Sequence, residues 1–138
     1  MIPPFTHLET GMADAAHIVR WKDIDWEQPG DAPDSVRALA EEGWKTGARR
    51  KYLTGGECGF HAQHSYMPPG FEVPPHSHNH DELFLVLEGS CRLNDGTVLT
   101  SYDAAVVPGQ LEYGFVVGPV GMRFVVVRTA HAETSLSD

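Results

Sequence analysis

From about residue 48 onward, short runs of β-forming residues alternate with turn residues. Nine candidate strands result, at 49–54, 57–67, 72–77, 82–88, 90–94, 97–101, 104–107, 112–117 and 122–129. Short strands at this density, divided by Gly, Pro, Asn and Asp, predict an all-β sandwich or barrel rather than alternating βα units. Asn94-Asp95-Gly96 predicts a tight hairpin, because Asp-Gly supplies the positive φ angles such a turn needs. Gly118-Pro119-Val120-Gly121 is expected to join the last two strands as a loop.

The helical pattern is confined to residues 33–43. Val36, Leu39 and Ala40 recur at helical spacing, Asp34 or Asp31 can cap the start, and Gly43 suits the end. Residues 1–30 are irregular and are expected to form a flap, with Trp21 and Trp26 as its apolar anchors. The predicted organisation is a flap and short helix over 1–47, a β-barrel over 48–129, and a flexible tail of small polar residues over 130–138.

Strand 82–88 departs from the alternation of a solvated barrel wall. Glu82, Phe84 and Val86 share one face, and Leu83, Leu85 and Leu87 share the other, so both faces carry apolar side chains. The leucines need a cover, either the flap or a second subunit, and a homodimer is expected.

Composition narrows the class of partner. The chain has 138 residues, enough for one core, and its net charge is −9. An anionic surface repels phosphate backbones, which excludes nucleic acid and anionic membranes as partners. No apolar run reaches the roughly 18 residues of a spanning helix, and the first residues lack the basic and apolar regions of a secretory signal. Cys58 and Cys91 form no C-x-x-C pair and read as two reduced thiols. The expectation is a cytoplasmic protein acting on small molecules.

Five of the eight histidines lie between residues 61 and 80. His76 and His78, two apart, point the same way on a strand, with their bases about 7 Å apart. Glu82 follows the turn Asn79-His80-Asp81 and opens the next strand facing the same interior. Two imidazoles and one carboxylate then converge, the donor set of a 2-His-1-carboxylate centre with open metal positions. His61 and His64 fall on opposite faces of their strand, so at most one can face the interior, and both read as structural. His80 sits in the turn and reads as a neighbour of the site rather than a ligand.

The spacing Gly70-x5-His76-x-His78-x3-Glu82-x6-Gly89 resembles the first sequence motif of the cupin superfamily at every fixed position. The resemblance implies a double-stranded β-helix, or jelly-roll barrel, over about residues 50–129, with a divalent metal inside: Fe(II) first, with Zn, Mn or Ni as alternatives. It makes His76, His78 and Glu82 the metal ligands. The second cupin motif is partial. Asp103-Ala-Ala-Val-Val-Pro108 fits its first half, Gly109 stands one place early with Gln110 at the usual glycine, and Phe115 fits the aromatic that often follows.

Tyr113 stands where the family's fourth ligand, a histidine, is expected. It has three readings: a weak ligand, a hydrogen-bonder and proton donor to substrate, or a packed wall residue. We take the second, because a phenol with a pKa near 10 is neutral, hence a good donor and a poor ligand. The fourth position is open to Tyr113, His80, His64 or water.

A three-ligand centre with exposed positions suits a metal-dependent oxygenase, dioxygenase-like, acting on a small chelating substrate. Phe84, Val86, Phe115 and Met67 are the candidate apolar walls. The alternatives are a cupin isomerase or lyase that uses its metal as a Lewis acid, and a non-catalytic binding module.

Overall fold

A computed structural model describes residues 15–131 and 134–136. The described residues build eight strands: β1 (Arg49–Tyr52), β2 (His61–Met67), β3 (Glu72–His78), β4 (Glu82–Leu93), β5 (Val98–Thr100), β6 (Ala104–Val107), β7 (Tyr113–Arg128) and β8 (Thr134–Leu136). All pairings are antiparallel, as short connections require. β4 and β7 run through both halves of the barrel. The first half of β4 pairs with β6 and the end of β7, and its second half with β5 and the start of β7. The start of β7 also pairs with β3, and its end with β2.

Two corrections follow. The segments 112–117 and 122–129 are one continuous strand, and Gly118–Gly121 is a bend within it rather than a loop. Likewise 82–88 and 90–94 fuse into β4 through Gly89. The two bends face each other. Gly89 and Gly121 both adopt positive φ, 83° and 82°, and a Cβ on Gly89 would strike the backbone carbonyl of Gly121. Only glycine permits so close a crossing of two backbones.

Helix α1 spans Arg37–Thr46. It starts later than the pattern predicted, after a 3-10 turn at Asp34–Val36, and no side chain caps it. It passes through Gly43, which is buried against the Phe71 ring, and ends at Gly47 in the left-handed conformation. Thr134–Leu136, expected to fray, pairs with β3 as β8: His76 lies opposite Leu136 and His78 opposite Thr134. The main-chain bonds outweigh the low packing value of small polar side chains.

Of the flap, residues 15–31 are described, and 1–14 lie outside the described residues. It crosses β1 and β2. The Lys51 ammonium donates to the Trp21 carbonyl at 3.0 Å and sits 3.8 Å and 4.5 Å from the Trp21 and Trp26 ring centres. The two tryptophans thus anchor the flap, through a cation as well as apolar area. The described part of the flap does not cover Leu83, which keeps 41% of its surface exposed, while Leu85 and Leu87 are half-buried. None of the described helices is long and apolar enough to cross a membrane.

The core occupies the barrel interior. Val86, Cys91 and Met122 are fully buried, and Phe84 stacks on Phe124 at 4.6 Å and meets Phe115 edge-on at 5.4 Å. Val86 is therefore core rather than cavity wall, which corrects its place among the expected walls. The three phenyl rings close one end of the barrel and floor the cavity at the other.

Candidate metal centre

The barrel opens into a cleft of about 730 Å³. Met67, Phe84, Phe115, Phe124 and Val126 supply apolar wall, and residues of the flap and of α1 form its mouth. His76, His78, Glu82 and Tyr113 all line it. The inward alternation of three strands places them: His76 lies opposite Tyr113 across β3 and β7, and Glu82 opposite Arg128 across β4 and β7. A bulge between Val73 and His76, at Pro74-Pro75, turns the histidine pair inward.

The donors are oriented from behind. His76 Nδ1 stands 2.9 Å from the Pro74 carbonyl. A carbonyl only accepts, so Nδ1 carries the proton and the lone pair of the neutral ring is on Nε2. His78 Nδ1 is held at 3.1 Å by the Thr134 hydroxyl, and its Nε2 stands 3.7 Å from Glu82 Oε1. The His76 and His78 ring centres are 4.7 Å apart. A histidine ligand backed at its other nitrogen is the usual arrangement around a bound ion.

Glu82 is 3% exposed. Its Oε2 accepts the Tyr113 hydroxyl at 2.5 Å. Its Oε1 is buried with no hydrogen-bond partner. A buried carboxylate oxygen without a hydrogen bond is costly, and the Arg128 guanidinium at 3.6 Å offsets that only through charge. As the side chains stand, no group of three or more His, Cys, Asp or Glu among the described residues is closed tightly enough to hold an ion. The gap is small, however. Two donors of one ion at bonds of about 2.1 Å lie about 3.0–3.4 Å apart, within an ångström of the His78–Glu82 separation. Donor chemistry, ring orientation and the orphaned oxygen together fit a divalent cation held by His76, His78 and Glu82.

Burial raises the Tyr113 pKa above its usual value, and the neighbouring Glu82 charge and hydrogen bond raise it further. The phenol is neutral and a donor, but in this structure it gives its proton to Glu82 rather than to open cavity. His80 is buried and stacks on His78 at 4.8 Å, with Nδ1 on the Asp81 carbonyl. Burial lowers its pKa. His64 points to the outer face of β2, 5.5 Å from the Trp21 ring, and His61 packs on Gly56. Neither lines the cleft.

Three residues escaped the sequence reading. Arg128, 8% exposed, brings its Nε to 3.6 Å from Glu82 Oε1. Gln63 accepts from Arg128 Nη1 at 2.6 Å, and Thr134 backs His78. Arg128 was detectable: it continues the inward row of Phe124 and Val126, where a charge is out of place.

Known proteins resemble the chain in two ways. A stretch of 59 residues is 41% identical to the dimethylsulfoniopropionate lyase DddW of Ruegeria pomeroyi. The match takes in 41% of this chain and only 39% of that protein, so the chain spans about two fifths of the curated relative. The polyketide cyclase RemF of Streptomyces resistomycificus superposes with a TM-score of 0.65 at 22% identity, over 89% of this chain and 86% of that one. A sugar phosphate isomerase of the cupin superfamily from Silicibacter pomeroyi gives 0.63 at 23%, over 88% and 82%. No protein-family profile matches the chain. The fold is that of the cupins, the jelly-roll barrel that the first motif implied.

Proposed function

We propose that the protein is a metal-dependent lyase or isomerase of small organic molecules, with His76, His78 and Glu82 as ligands. The observation that carries this reading is the buried Oε1 of Glu82, which has no hydrogen-bond partner and faces His78 Nε2 inside a largely apolar cleft. A bound divalent ion supplies Lewis-acid polarisation of a substrate oxygen. The side chains do the rest. Pro74 and Thr134 fix the two imidazoles, the phenyl floor excludes water, and Tyr113 holds a proton at its hydroxyl next to the carboxylate.

The similar proteins named above are a lyase, a cyclase and an isomerase. Their names support the Lewis-acid alternative of the sequence reading over the oxygenase, which we place second. Fe(II), Mn(II) and Zn(II) forms are to be assayed under argon and in air with dimethylsulfoniopropionate, the substrate named for the curated relative, and with a panel of diketones and sugar phosphates. Turnover under argon supports the proposal, whereas turnover only in air, with dioxygen consumed in step, returns the site to the oxygenases. Glu82→Gln is expected to lower metal content at least tenfold, and wild-type content in that variant removes Glu82 from the ligand set.

A further inference from the structure

The cleft holds a second charge that the metal reading does not use. Arg128 closes the inward row of β7 and lines the cleft. Its guanidinium is set from one side by a relay: Ser65 Oγ takes Gln63 Nε2 at 2.9 Å, and Gln63 Oε1 takes Arg128 Nη1 at 2.6 Å. On the other side, Arg128 Nε is buried with no hydrogen-bond partner. Its nearest anion, Glu82 Oε1, is 3.6 Å away, within ion-pair distance but beyond hydrogen-bond range, and also lacks a hydrogen bond. The two charges form a buried ion pair whose facing atoms both lack a hydrogen bond, so donor and acceptor capacity is left unused inside the cleft.

Charge counting says what completes it. Arg128 and Glu82 cancel. A divalent ion on His76, His78 and Glu82 adds two positive charges, and the rest of the deep wall is phenyl, valine, amide and neutral phenol. Of the acids lining the mouth, Glu27 is paired with Arg50 at 2.7 Å, and Asp31, which accepts the Gln28 backbone N–H at 3.1 Å, is balanced in the count by Arg49 on the same lining. With a divalent ion bound, the interior of this acidic protein would be a cationic pocket with an apolar floor.

We propose that Arg128, positioned by Gln63 and Ser65, is the carboxylate-recognising residue of the cleft, and that the substrate class is a small organic monocarboxylate. The planar guanidinium suits a carboxylate, and the phenyl rings of Phe84, Phe115 and Phe124 suit a short carbon stem. The charge count rests on the metal reading above, whereas the unmet Nε does not.

The test compares propionate with propionamide, which match in shape and differ in charge. Binding of each is measured by titration calorimetry to the Mn(II)-loaded and the metal-stripped protein, with Mn(II) content recorded separately. Propionate is expected to bind at least tenfold more tightly than propionamide in both forms, and R128Q is expected to abolish that preference while a folded far-UV spectrum persists. Should R128Q not fold, R128K decides: it keeps the charge, loses the fork, and is expected to weaken propionate several-fold with no change for propionamide. Equal binding of the two probes to the wild type, or an undiminished preference in the folded variant, overturns the proposal. Failure to retain Mn(II) counts against the metal reading alone, because the preference in stripped protein still tests Arg128.

Discussion

Tyr113 and Glu82 share one proton-bearing contact: the phenol of β7 donates to the carboxylate of β4 across 2.5 Å, between two buried side chains of the cleft. The tyrosine stands where a cupin's fourth ligand is expected, yet its hydroxyl is bound to Glu82. That leaves one carboxylate oxygen committed and one available, which fixes the direction from which an ion can approach.

Replacing Tyr113 with Phe removes the donor and keeps the ring. Metal content is expected to be unchanged by elemental analysis, and turnover to fall about 100-fold, the scale of a lost proton donor. Complete loss of metal would instead make the phenol oxygen a ligand.

Thr134 holds His78 by its rear nitrogen. Thr134→Val keeps the side-chain shape and deletes the hydroxyl. Metal affinity is expected to drop about 10–100-fold, read by competition with a chromophoric chelator. An unchanged affinity would show that β8 only covers the site and does not orient it.

Gly89→Ala adds a methyl group where the backbone of Gly121 already lies, at a positive φ that alanine resists. The expected loss is at least about 2 kcal/mol of stability, a fall in Tm of roughly 6–10 °C. A melting curve matching the wild type would show that the crossing is looser than described.

Acid is expected to loosen the flap through His64. Burial holds this imidazole below its ordinary pKa of 6.5, and the cations Arg123 and Lys51 lower it further. Its Nδ1 is buried with no hydrogen-bond partner, and Trp21 covers the ring. The unfolded chain therefore takes up the proton first. The neutral ring's contribution is complete above about pH 6.5 and is lost as pH falls toward the folded value. Urea unfolding at pH 7.5 and 5.5, followed by tryptophan emission, is expected to show a larger loss for the wild type than for His64→Gln. Equal losses would assign the acid sensitivity to other groups.

The convergence of the candidate ligands was legible because it is local. His76, His78 and Glu82 lie within one strand and the start of the next, so alternation and a short turn bring them together. Arg128, Gln63 and Thr134 reach the site only through long-range pairing, and nothing near them in sequence announces a partner 46 or more positions away. Gly118–Gly121 misled for a physical reason. Glycine and proline end a strand in most settings, but here they let one strand bend while its hydrogen bonds pass to a new partner. The tail misled because its composition argues against packing, while its backbone completes the edge of β3.

β7 is the shared neighbour of β2, β3 and β4, and it brings both Tyr113 and Arg128. During translation the histidines and Glu82 leave the ribosome tens of residues before that strand exists. A nascent chain therefore exposes His76, His78 and Glu82 without the wall that later shapes them, and the cleft takes form only once residue 128 has emerged.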